Sequence, residues 1–135
     1  QFESREVQKA YIARLEGVIE EERGDIDMPR RLDVDHRPRQ IVDWEHGKKA
    51  VTHWERIRVI TTPEERFTLV RFYPHTGRTH QLRVHAAEGL KHPIVGDNLY
   101  GHQRDGERLM LHAETIKFRH PKTKEEVEFT SPSPF

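Results

Sequence analysis

Phe67-Thr68-Leu69-Val70-Arg71-Phe72-Tyr73-Pro74-His75-Thr76-Gly77-Arg78-Thr79-His80-Gln81-Leu82-Arg83-Val84-His85 is the stretch whose reading decides the fold. Its first part is an apolar strand, with Phe67, Leu69, Arg71 and Tyr73 on one side. A turn at Thr76-Gly77 follows. Thr79 can cap a helix that runs through about Glu88, and Gly89 can end it. Two arginines and three histidines fall in this turn and its flanks. Unpaired amides at a helix start attract anions, and Gly77 lets backbone approach a ligand closely. Arg78 can reach back over that terminus. A phosphate or carboxylate site is one reading. A tight turn with a surface arginine is the other, and the turn alone favours it.

Outward from this stretch, strands and turns alternate. Glu3 to Glu16, Lys49 to Ile60, Leu109 to Phe118 and Glu126 to Phe129 read as strands. Ile41 to Trp44 is a short candidate strand. The acids Glu20, Glu21, Glu22 and Asp25 around Gly24 read as a solvated turn. Pro29 to Pro38 and Pro93 to Gly106 read as loops. Many hairpins and one clear helix predict an α+β fold, a mostly antiparallel sheet in a single domain over 1–135.

The chain has 135 residues, with 23 basic and 23 acidic side chains. Balanced charge gives no bulk attraction to nucleic acid, so any basic face must be local. Between Arg71 and Pro93, Arg71, Arg78, Arg83 and Lys91 face one acid, Glu88. The hydrophobic share of 33% and mean hydropathy of −0.91 are low for a self-sufficient domain. Together with a start at Gln1, they suit part of a larger fold. With no cysteine there is no disulfide, no thiolate-held zinc and no thiol nucleophile. No apolar run reaches membrane-spanning length, and a cytoplasmic protein is expected.

Among candidate chemical groups, His75, His80 and His85 are spaced by five, which points them apart on a helix, so no metal site is expected. Tyr11 on a strand can stack on a nucleobase or work as an acid or base, or be an ordinary sheet tyrosine. Asp33 and Asp97 are candidate carboxylates, with turn roles as the simpler reading. The serines cluster near the termini and support no nucleophilic triad.

Several ordered segments carry a resemblance. They are Lys9-Ala10-Tyr11-Ile12-Ala13, Arg37-Pro38, Gly47-Lys48-Lys49-Ala50 with Thr52, and His75 through His85. His92-Pro93-Ile94-Val95-Gly96-Asp97-Asn98-Leu99-Tyr100-Gly101, Leu111-His112-Ala113 and Phe118-Arg119-His120-Pro121 complete the set. Together they resemble the C-terminal part of the catalytic domain of RluA-type pseudouridine synthases, a resemblance that implies a long mixed, mainly antiparallel sheet. The resemblance implies isomerisation of uridine in ribosomal or transfer RNA to pseudouridine, without a cofactor. It implies that Tyr11 packs against the target base and takes part in proton abstraction, that Arg78 pairs with a catalytic aspartate, and that Leu111 lines the pocket. That aspartate belongs to a His-Arg-Leu-Asp motif upstream of the Lys-x-Tyr strand. Arg31-Leu32-Asp33 follows Tyr11 and lacks the histidine, so the nucleophile is not assigned to it. The expectation is a C-terminal portion that supplies Tyr11 and Arg78 and is inactive alone. Thr79, His80 and Arg83 are expected to hold the RNA backbone. The alternative is a stand-alone RNA-binding module that lost catalysis. A dimer through an exposed cut face is a further expectation.

Overall fold

Among the described residues, eight short stretches of extended chain organise the molecule. A computed structural model describes residues 8–32, 40–45, 47–75, 79–102, 108–119 and 126–130. The strands are β1 (Gln8–Glu16), β2 (Arg23–Asp27), β3 (Arg30–Leu32), β4 (Gln40–Val42), β5 (Val51–Thr61), β6 (Arg66–Pro74), β7 (Leu111–Arg119) and β8 (Glu126–Thr130). Six of them form one sheet in the order β2-β5-β6-β1-β7-β8, and β3 and β4 form a separate hairpin. Every pairing among the described strands is antiparallel, so the mixed component expected of the sheet is not seen among them.

Two stretches differ from the sequence reading. The acidic patch is partly strand: Arg23–Asp27 pairs with β5 along its length. As an edge strand it buries little besides Ile26, so its charged composition hides it. Gly24 is there for size, because a Cβ would come within 3.0 Å of the Trp54 indole nitrogen. Part of the expected Pro29–Pro38 loop, Arg30–Leu32, is β3; residues 33–39, with Asp33, lie outside the described residues.

The helix predicted after the turn is present in two parts. Helix α1 covers Thr79–Val84, and the chain continues as a π-helix over His85–Gly89, closed by Leu90 N–H donating to the His85 carbonyl at 3.0 Å. Leu82 and Ala86 from this helix join Ala13, Leu15, Val70, Phe72, Trp54 and Ile94 in one core. Burying each of the large side chains contributes about 1.5–3 kcal/mol. Among the described residues, no helix is long and apolar enough to cross a membrane.

Two strands carry an extra residue. Between the pairs Arg56↔Val70 and Arg58↔Leu69, β5 has Ile57 in excess. Between Ala10↔Thr115 and Tyr11↔Ala113, β7 has Glu114 in excess. Such bulges bend a strand and re-aim its side chains.

Candidate active site

Helix α1 follows β6 in the chain, and several of its side chains point inward. Gln81, Leu82, Val84 and His85 are fully buried. The Gln81 side-chain amide donates to the Val51 carbonyl at 3.1 Å and to Thr52 Oγ1 at 3.0 Å. His85 Nε2 faces the Met28 carbonyl at 2.9 Å, and Nδ1 faces Thr52 Oγ1 at 2.9 Å. A carbonyl only accepts, so the ring carries a proton on Nε2. These bonds fasten the helix to β5 and to the chain after β2.

A second anchor joins α1 to the loop after the π-helix. Arg83 donates from Nη2 to Asp97 Oδ1 at 2.7 Å and from Nε to Oδ2 at 3.1 Å. The Arg83 side chain is 13% exposed and that of Asp97 is 0% exposed. Asp97 Oδ1 also accepts the backbone N–H of Leu99 and of Tyr100, each at 3.0 Å. The Tyr100 ring lies 5.3 Å from the Arg83 guanidinium carbon, and its hydroxyl shares a 2.9 Å hydrogen bond with His80 Nδ1. Gly96 makes the turn possible: its φ is +83°, and a Cβ would come within 2.1 Å of the Arg108 carbonyl oxygen. The same loop docks on β1, with Val95 N–H donating to the Arg14 carbonyl at 2.8 Å and Glu16 N–H to the Pro93 carbonyl at 2.9 Å.

The strand so anchored carries Tyr11. Tyr11 pairs with Phe72 on one side and Ala113 on the other, and Leu111 pairs with Ala13. Directly paired residues share a sheet face, so Tyr11 and Leu111 stand on the core face together. Both pack against the core while remaining partly exposed. Burial pushes the Tyr11 phenol above its ordinary value, so at neutral pH it is protonated. Among the described residues its hydroxyl has no hydrogen-bond partner.

The expected site residues therefore divide. Tyr11 and Leu111 are brought together. Arg78 lies outside the described residues, as does the side chain of Thr79. His80 is half-buried against Tyr100. The Arg83 guanidinium faces Asp97, with its side chain largely buried. Asp97, a candidate carboxylate from the sequence, is the buried acceptor of this pair. The turn role read for Asp97 is present, since its carboxylate caps the amides two and three residues on. Sequence reasoning missed its pairing with Arg83 and the contacts of Tyr100. Among the described residues no group of three or more histidine or acidic side chains is arranged to hold a metal. A groove of about 460 Å³ lined by Ile19, Glu20, Arg23, Trp54 and Leu90 lies elsewhere, and none of the site residues line it.

The RNA pseudouridylate synthase family model matches residues 1–88. The chain belongs to the RNA pseudouridylate synthase family. Among its relatives, the dual-specificity RNA pseudouridine synthase RluA of Pasteurella multocida is 41% identical over 138 residues, covering 100% of this chain and 61% of the relative. The protein of the same name from Vibrio cholerae is 43% identical over 126 residues, covering 91% of this chain and 49% of its own length. In three dimensions the chain is similar to human RNA pseudouridylate synthase domain containing 1. The TM-score is 0.82 at 35% identity, over 97% of this chain and 56% of the human one. The α+β architecture is shared with that neighbour. The chain thus spans about half to three fifths of the relatives it matches.

Proposed function

We propose that this chain forms the base-binding side of a site that converts uridine in RNA to pseudouridine. Tyr11 is the platform for the extruded uracil, and Leu111 lines the pocket beside it. Arg78 holds the nucleophilic aspartate of a His-Arg-Leu-Asp motif ionised, since a nearby cation favours the charged form. The observation that carries this reading is the placement of Tyr11 and Leu111, from neighbouring strands, on one face of the sheet of a synthase-family domain. A target base must leave its stack before its glycosidic bond is broken and the base is rejoined through carbon, and an aromatic platform stabilises the extruded form. Because the Tyr11 phenol is protonated at rest, it must first lose that proton to another group before it can accept one from the base.

Residues 1–135 contain no His-Arg-Leu-Asp motif, and Asp97 is held by Arg83. The chain is therefore proposed to turn over only as part of the complete gene product. The RNA is proposed to be ribosomal or transfer RNA, contacted near His80 and the turn before it. The test is pseudouridine formation on ribosomal and transfer RNA transcripts by this chain and by the complete gene product. Only the complete product is expected to act, and Tyr11→Phe in it is expected to lower kcat by about 100-fold or more. Turnover by residues 1–135 alone would overturn this placement of the nucleophile and bring back Asp33 or Asp97. RNA binding without turnover by either protein would favour a binding module on the same scaffold.

A further inference from the structure

The sheet face opposite α1 carries a polar network that the site does not use. Arg71 stands on β6 with Glu55 opposite it on β5 and Ile12 opposite it on β1. Its guanidinium reaches across β1 to Glu114, with Nε to Oε1 at 2.8 Å and Nη2 to Oε2 at 3.2 Å. Nη1 donates to Glu55 Oε1 at 3.2 Å, and the Tyr73 hydroxyl donates to the same oxygen at 2.7 Å. Glu114 is the excess residue of β7, and it sits between the pairs that hold Tyr11 and Ala10.

The position of that residue decides which face Leu111 occupies. Gln8, Lys9 and Ala10 pair with Lys117, Ile116 and Thr115. Continued without interruption, this register would place Glu114 opposite Tyr11 and Leu111 opposite Arg14. Side chains alternate along a strand, so a one-residue slip moves them all to the other face. Leu111 would then stand on the far side of the sheet from Tyr11. The bulge absorbs one residue, Tyr11 meets Ala113, and Leu111 meets Ala13 on the face of Tyr11.

We propose that Arg71 and Glu114 are a positioning pair: by holding the bulge from the far face, they keep Leu111 beside Tyr11. Glu114 is the residue that the bulge displaces, and a two-point ion pair fixes both its direction and its distance. Neither residue touches the base, and their effect passes through the β1–β7 register. Misplacement by about 1 Å is enough to cost a reaction 100-fold. The proposal rests on the pocket role of Tyr11 and Leu111, and its test has one arm that does not depend on activity.

That arm is amide exchange, measured by NMR on the complete gene product. Glu114→Ala is expected to speed exchange at residues 111–114 at least tenfold, with β5 and β6 unchanged within twofold. Cross-strand contacts between Ala13 and Leu111 should weaken in parallel. In the activity arm, kcat for pseudouridine formation is expected to fall at least tenfold with KM within twofold. Glu114→Gln should fall between Glu114→Ala and the parent, and it serves if the alanine variant does not fold. The charge-exchanged pair Arg71→Glu with Glu114→Arg should recover part of both losses. Unchanged exchange at residues 111–114 in Glu114→Gln and Glu114→Ala would overturn the positioning pair, whatever the activity. Accelerated exchange with unchanged kcat would overturn its link to the site. If the unmodified protein forms no pseudouridine, the functional reading fails, and the exchange arm still decides the role of the pair.

Discussion

Two arginines, Arg83 and Arg71, each grip a carboxylate with two nitrogens, but on opposite sides of the sheet. Arg83 meets Asp97 on the helix side, where the carboxylate is fully buried. Arg71 meets Glu114 and Glu55 on the far face, where the three side chains are 29%, 19% and 44% exposed. The geometry is similar and the energetics are not. Removing one partner of a buried pair leaves a charge without water or counter-ion, whereas a half-exposed charge is resolvated. The first pair is an anchor for the helix after the turn. The second stabilises little by itself and acts by selecting a register.

The sharpest way to break this contrast is Asp97→Ala. It strands Arg83 and removes the acceptor of the Leu99 and Tyr100 amides, and a loss of about 3–5 kcal/mol in urea unfolding is expected. A loss below 1 kcal/mol would show that the buried pair is no stronger than the exposed one. Gly96→Ala should follow, with a loss of about 1–3 kcal/mol from backbone held at positive φ, and more if the Arg108 carbonyl cannot move away. Glu114→Gln is expected to cost about 1 kcal/mol or less by the same measurement, despite its larger effect on local exchange.

The smallest effect is one of pH. The Tyr73 hydroxyl hydrogen bond, followed by Arg71, holds the Glu55 carboxyl below its ordinary value against a partial loss of hydration. A carboxyl whose folded value is depressed adds stability above its unfolded value and loses that contribution as pH falls through the folded one. The stability difference between the parent and Glu55→Gln should therefore be present at pH 6 and vanish on acidification below the usual carboxylate range. Its size should be a few tenths of a kcal/mol, given the exposure of Glu55. A difference that grows on acidification would reverse the sign assigned to Glu55. Tyr73 behaves in the opposite sense. Burial and then the bond to Glu55 raise its phenol, so its contribution is present below the ordinary tyrosine value and lost in alkali.

The same two arginines show how far the sequence could be read. The excess of basic residues between Arg71 and Pro93 suggested a local surface for RNA. Arg71 and Arg83 are both turned onto carboxylates 43 and 14 residues away in sequence. Residue counts register the charge but not its partner, because partners meet through strand pairing and loop docking. The edge strand β2 was equally hidden: a strand exposed on most of its length needs no apolar alternation.

By itself, the sequence determined most of the strands, the helix that starts at Thr79 and the resemblance that singled out Tyr11 and Leu111. Those features rest on local periodicity and ordered motifs, each readable within a few residues. Only the tertiary structure decided that Arg83 faces Asp97, that the helix is fastened through Gln81 and His85, and that one extra residue in β7 brings Leu111 to the face of Tyr11. A bulge looks in sequence like any other strand residue. Its effect exists only once a neighbouring strand supplies the register against which the extra residue counts.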